Sequence, residues 1–331
     1  MKYTWAVTLF CAAVPCASSA LAAVRPTPLP TRSLLEDPEP STADTPAGWV
    51  TIDEFRGVPV VEYRKLHPTT GRIVVIGTRT AEGAAHGPEW SYWPNGASRI
   101  HRVWENDLLQ GAYKAWFKSG MPRLDGTLKN DDRHGTWRRF AEKGHLAALS
   151  EYVDGLPHGT FREFYGSGAD KSEQHFEAGV QTGVDRRWNP KGVLEFEANW
   201  LAGKQHGPWK LMARAGGPPG SQGFYSHGKR DGIWIEVTRK GVTISEVPYI
   251  DGMMEGVRKT WRDDGSLATE AYQEHGKETG PFSAWHVNGQ KQMTGRKVDG
   301  KREGAWTFWR TDGSIEPAFT GTYANDVKVA D

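Results

Sequence analysis

The feature that most constrains this chain is a pair of glycines nine residues apart that recurs to the end of the sequence. The leading glycine falls at Gly87, Gly111, Gly135, Gly159, Gly183, Gly207, Gly232, Gly256, Gly280 and Gly304, a step of 24 residues broken once by a step of 25. The trailing glycine keeps pace at Gly96, Gly120, Gly144, Gly168, Gly192, Gly216, Gly241, Gly265, Gly289 and Gly313. Ten copies at one fixed period are the signature of a repeat array whose units pack chiefly on their neighbours.

Each unit reads as a β-hairpin. The leading glycine opens an aromatic-rich run, a polar tip such as Pro94-Asn95-Gly96, Lys118-Ser119-Gly120 or Asp263-Asp264-Gly265 closes it, and a second extended run follows. Asn, Asp and Gly accept the positive φ of tight hairpin turns. A second turn sits four residues before the leading glycine, at Gly155, Gly179, Gly203, Gly228, Gly252, Gly276 and Gly300, with Asp107 and Asp131 in its place early on. The expected fold class is therefore all-β: an elongated, single, twisted antiparallel sheet of about ten 24-residue hairpins. Fifteen Trp and 39 Gly suit aromatic strands punctuated by turns.

Two rows of the first strand are mostly aromatic. Two residues after the leading glycine come Tyr113, Trp137, Phe161, Trp209, Trp234, Phe282 and Trp306, broken by Asp185 and Arg258. Five after it come Tyr92, Trp116, Phe140, Phe164, Trp188, Trp261, Trp285 and Trp309, broken by Met212 and Val237. An offset of three puts the rows on opposite faces of a regular strand unless a bulge intervenes. Strands ~4.8 Å apart imply same-row rings roughly 10 Å apart, with second-strand residues between them. The second strand ends in Trp104, Leu128, Tyr152, Phe176, Trp200, Tyr225 or Tyr249, positioned to pack on the first strand's ring.

The pattern Gly-x-aromatic-x-x-aromatic, a polar tip ending in Gly, an aromatic-bearing extended run and then Gly-x-x-x-Gly resembles the MORN-repeat variant of YwqK-type antitoxin-like proteins. Tyr152-Val153-Asp154-Gly155-Leu156-Pro157-His158-Gly159-Thr160-Phe161 is the nearest match, and the resemblance covers Gly83 to about Val327. It implies an interaction platform without enzymatic activity and a protein partner, a toxin in the antitoxin-like case.

Residues 1–23 read as a signal peptide, with Lys2, the apolar run Trp5 to Val14 and a small-residue cleavage site near Ala22 or Ala23. The apolar run is too short to span a bilayer. The expected location is periplasmic or secreted, with Cys11 and Cys16 removed and no transmembrane segment in the mature chain; acylation at either cysteine is the lesser alternative, because Phe10 and Pro15 precede them. Residues 24–47, rich in proline, read as a disordered tether. Residues 48–82 read as a degenerate cap hairpin covering the open sheet edge, 83–327 as the ten-copy array, and 328–331 as a tail. Glu316 onward is expected to keep its second strand through Tyr323.

Lys and Arg number 41 against 40 Asp and Glu, so no global field draws nucleic acid. The candidate partner-binding strip is local. Lys114, Arg138, Arg162, Arg186 and Lys210 lie three after the leading glycine, with Lys259 later, and should share a face with Trp116, Phe140, Phe164 and Trp188. That strip suits an acidic protein, an anionic glycan or lipid headgroups. The competing reading is a self-neutralised ladder, because Asp125, Glu173, Glu197, Glu246 and Glu270 occupy one matching position of the second strand. His86, His134, His158 and His206 precede leading glycines and read as turn residues, too widely spaced for one metal ion. Aromatic rows can stack sugars, but rings in narrow hairpins more often pack on each other. The irregular stretch 213–222 reads as a projecting loop or as drift. No catalytic, cofactor-binding or metal constellation stands out.

Overall fold

The computed structural model describes residues 52–212 and 217–331. The expected signal peptide, the tether and the start of the cap therefore lie outside the described residues, as does the first part of the 213–222 stretch. The described chain is all-β, with no helix. From Val61 to Ala330 successive strands pair antiparallel with their sequence neighbours in one continuous sheet, and no ladder joins Val61–Leu66 to Val327–Ala330, so the sheet is open. No described helix is long and apolar enough to cross a membrane.

Both turn types follow from the residues at them. At the tips, Gly120 N–H donates to the Phe117 carbonyl at 2.9 Å and Phe117 N–H to the Met121 carbonyl at 2.8 Å. With Gly120 at φ +87°, this is the three-residue loop in which a glycine ends a type I turn. The other turns have two central residues with positive φ, such as Asp154 at 46° and Gly155 at 81°, the geometry that matches strand twist. Where aspartate replaces the glycine, its side chain earns the position: Asp131 Oδ1 accepts from the Leu109 N–H at 2.7 Å, one repeat back.

The leading glycine opens its strand at Gly111, Gly159 and Gly256, as the sequence pattern suggested, and lies inside it in the other repeats. In the strand Asp132–Phe140, Gly135 lies inside, at a break in the pairing with the preceding strand between His134 and Arg138. A second register shift falls between Arg139 and Phe140 against the following strand, and both recur along the array.

The row two after the leading glycine lies on the buried face, termed the ring face. Rings in successive repeats touch: Tyr113 and Trp137 have centroids 5.6 Å apart, Trp209 and Trp234 5.2 Å, and Phe282 and Trp306 5.8 Å. The expected spacing of roughly 10 Å with a side chain between is wrong here, because the intervening second-strand residue is glycine. A Cβ on Gly126, Gly223 or Gly295 would stand 2.3, 2.4 or 2.3 Å from Cδ2 of Trp137, Trp234 or Trp306. Each indole lies on that bare backbone and donates Nε1–H to a carbonyl at 3.1 Å, those of Thr127, Phe224 and Arg296. The rings ending the second strands pack as expected, with Tyr152 5.3 Å and Phe176 4.8 Å from Phe161.

The ends depart from the repeat. The N-terminal segment forms two hairpins, Glu54–Phe55 with Val58–Pro59, and Val61–Leu66 with Ile73–Arg79; only the second joins the sheet. At the other end the expected second strand is not kept from Glu316. Between Glu316 and Tyr323 strand begins only at Gly321, in Gly321–Ala324, because Pro317 cannot donate to a ladder, and Val327–Ala330 forms a further strand against it. Phe319 instead packs 6.0 Å from Phe308, closing the last repeat's ring cluster.

Gly126→Ala should destabilise the chain by about 1–3 kcal/mol through overpacking. In a Trp137→Ala background the same change should cost close to nothing, a coupling that denaturant melts of the four-variant cycle would measure.

Candidate interaction face

The row three after the leading glycine falls on the opposite face, because side chains alternate along a strand. Cross-strand register strings this row into one line: Lys114–Asp125–Arg138–Leu149–Arg162–Glu173–Arg186–Glu197–Lys210. It continues through Gln222, Ile235, Glu246 and Lys259 to Glu270. The face carrying it is termed the ladder face. Arg138 lies 3.5 Å from Asp125, Arg162 2.5 Å from Asp170, Arg186 2.8 Å from Glu197 and Lys259 3.3 Å from Glu270. All four cations stay substantially exposed, so each pair contributes about 0–1 kcal/mol.

The ladder is not uniform. Between Lys114 and Arg162 the line holds three cations, one acid and Leu149, whereas from Glu173 to Lys210 acids and bases strictly alternate. Lys114 and Lys210 make no ion pair among the described residues. The row five after the glycine shares this face, and Arg162 lies over the Phe164 ring at 5.2 Å. Trp116, Phe140 and Trp188 stand half-buried in the same row. Polar groups tie the tips across repeats: Trp93 Nε1–H donates to the Trp116 carbonyl at 3.2 Å and the Tyr165 hydroxyl to the Trp188 carbonyl at 2.8 Å.

Three of the four histidines before leading glycines serve the turns through their side chains. His86, His134 and His206 accept through Nδ1 from the backbone N–H of Asn106, Asp154 and His227 at 3.3 to 3.5 Å. Gln110, Glu255, Thr279 and Glu303 do the same elsewhere. This column of acceptors shows only as a shared capacity, since four residue types fill it.

The ring-face residues missed in sequence form a short pattern. Arg133 lies over Trp137 at 4.7 Å and over Tyr152 at 5.2 Å, and Arg230 lies over Trp234 and Tyr249 at 4.1 and 5.3 Å. With the floor glycine they spell Gly-x6-Arg-x3-Trp at Gly126, Gly223 and Gly295, a signal masked by the stronger glycine period. Asp185 interrupts the row as a buried carboxylate, its Oδ2 accepting from Gln174, Gln181 and Arg187 at 3.2 to 3.4 Å. Glu89 interrupts it at the start, buried between the Tyr63 hydroxyl and Arg102.

At the N-terminal end of the ladder line, His101 stacks on Trp90 at 4.5 Å and pairs in register with Lys114. Burial, then the Lys114 charge, holds its pKa below the ordinary imidazole value.

No family model matches the chain, and no curated protein matches it. Solved structures similar to it include a TcdB2-TccC3 complex, at 10% identity and TM-score 0.17 over 82% of this chain and 16% of that one. A Tc holotoxin pore of Photorhabdus luminescens is similar at 12% identity and TM-score 0.19, over 81% of this chain and 15% of that one. The chain thus spans about 16% of the first of these structures, and likeness at this level bears on neither fold nor function.

A histidine with a lowered folded pKa contributes stability that is present above its unfolded value and lost as pH falls through the folded one. Stability should therefore decline below about pH 6.5, and His101→Gln should flatten that part of the profile in thermal melts across pH.

Proposed function

We propose that the chain is a non-enzymatic protein-interaction scaffold, an antitoxin- or immunity-like partner that neutralises a protein of the cell envelope by covering its surface. The observation that supports this most is the local charge imbalance on the ladder face. Where Leu149 takes the place of an acid, Lys114 and Arg138 share one in-line counter-charge, Asp125, while Arg162 meets Asp170 and Glu173. An acidic partner surface supplies the missing charges, and the half-buried rings of Trp116, Phe140 and Phe164 beside them supply apolar contact. The sequence resemblance to the MORN-repeat variant group agrees with this role, and the signal-peptide-like reading of residues 1–23 with a periplasmic or secreted site of action.

The second reading is an envelope glycan- or lipid-binding protein. It rests on the same-face rings from Tyr92 to Trp309, whose regular spacing suits stacked sugars, with the cations meeting anionic groups.

Affinity capture from envelope extracts with mass spectrometry tests both. The scaffold reading expects one stoichiometric acidic protein, released by about 0.5 M salt because exposed charge pairs are screened. A folded Lys114→Glu, Arg138→Glu, Arg162→Glu variant should lose at least tenfold in retention. Unchanged capture by that variant contradicts the reading, and retention on anionic glycan or vesicles without a protein partner favours the second.

A further inference from the structure

The small hairpin at residues 54–59 shows what the turn-side rows of the ladder face can hold. Phe55 meets the His86 ring edge-on at 5.7 Å, and its carbonyl accepts from His86 Nε2 at 3.1 Å. Arg56 pairs with Glu105 at 2.5 Å. Phe55 lies 3.5 Å from where a Gly87 Cβ would be, and Arg56 3.9 Å from that of Gly111, beside Val103. An aromatic residue and the arginine after it are thus seated over glycine-floored strands, with one carboxylate taking the guanidinium.

Four of these positions recur 169 residues later, with Glu255 where His86 stands and the chain's own Tyr272 ring over Gly280, its Cδ1 3.0 Å from where a Cβ would be. Gly256, Tyr272, Glu274 and Gly280 stand where Gly87, Val103, Glu105 and Gly111 stand. Around them Ile233, Ile250, Met253 and Val257 are 59, 57, 50 and 46% exposed. Register places them together, since Ile250 faces Met253 and Val257 faces Tyr272. The Glu274 carboxylate forms no ion pair among the described residues, because Lys277 opposite it pairs with Asp299 at 3.0 Å. In the third and fourth repeats the row of Val257 and Tyr272 carries Thr136, Glu151, Thr160 and His175, so its apolar character varies along the array. Clustered exposed apolar side chains beside an unpaired acid mark an interaction site, and aromatic and arginine side chains are the residues such sites favour.

We propose that this surface docks a β-turn of a partner protein that presents an aromatic residue followed by an arginine, the ring settling among Val257, Tyr272 and Ile250 and the guanidinium on Glu274. A second copy of this chain is disfavoured as the occupant because its own Phe55 and Arg56 are engaged within the chain. The site lies on hairpins away from the cationic segment of the ladder and does not depend on the function proposed for that segment.

The probe is a head-to-tail cyclised peptide of residues 53–60, Asp53-Glu54-Phe55-Arg56-Gly57-Val58-Pro59-Val60, labelled and titrated onto the full chain. One peptide should bind per chain. Glu274→Lys should weaken binding at least tenfold, as should Ile233→Asp with Val257→Asp, all at exposed positions where unchanged melting confirms folding. A peptide with Arg56→Glu should regain affinity for the Glu274→Lys chain, and Glu105→Lys, at the occupied site, should leave binding of the original peptide unchanged. Absence of binding to the unaltered chain, indifference to Glu274→Lys, or loss through Glu105→Lys overturns the proposal. So does a dimer in sedimentation that Glu274→Lys dissociates, which makes a second copy the occupant.

Discussion

The structure depends on one contact, an indole laid flat on a glycine of the neighbouring strand. A domain ordinarily buries apolar side chains between two layers, but the strands here contact chiefly their neighbours along one sheet. Burial has to come from within that sheet. Gly126, Gly223 and Gly295 provide the floors, the preceding repeat's Tyr113, Trp209 and Phe282 provide the walls, and Arg133 and Arg230 cover two of the three indoles. Trp137, Trp234 and Trp306 are consequently almost fully buried. Burial of a ring of this size removes ~150–250 Å² from water, which gives a single-layer sheet a core on one side.

That arrangement leaves the opposite face free to vary. Its central line carries excess positive charge in the early repeats, alternating charge in the middle and neutral Ser283 late. Its turn-side row is apolar at Pro88 and Val103, polar at Thr136, Glu151, Thr160 and His175, and apolar again near Ile233 and Val257. A periodic scaffold with a fixed ring face and a variable ladder face separates stability from recognition, since exchange of exposed side chains away from the rings costs little. The interruptions at Asp185 and Arg258 belong to the ring face and divide its stacked rings into the three groups that end on Trp137 or Phe161, Trp234 and Trp306.

The turns were legible because each needs positive φ, and glycine, asparagine and aspartate are the residues that tolerate it. Asp107 and Asp131 could be placed for the same reason. The basic row and its matching acids were legible from position alone, and both the cations and their half-neutralised state appear in the ladder. Ring contact between repeats was not legible, since strand spacing argues against it until Gly126, Gly223 and Gly295 are recognised as floors. The bulge at Gly135 was hidden because a glycine that opens a strand and one that breaks its pairing look alike in sequence. The last repeat was misjudged because Pro317 and Phe319 act through tertiary contact rather than through period.

Residue-resolved hydrogen exchange of the full chain under native conditions tests the central claim most directly, since local opening energies follow buried contacts. The account predicts the slowest amides in the strands flanking Gly126 and Trp137, Gly223 and Trp234, and Gly295 and Trp306, with faster exchange around Arg258. Protection that is even along the array, or highest in strands lacking an indole on glycine, would contradict it.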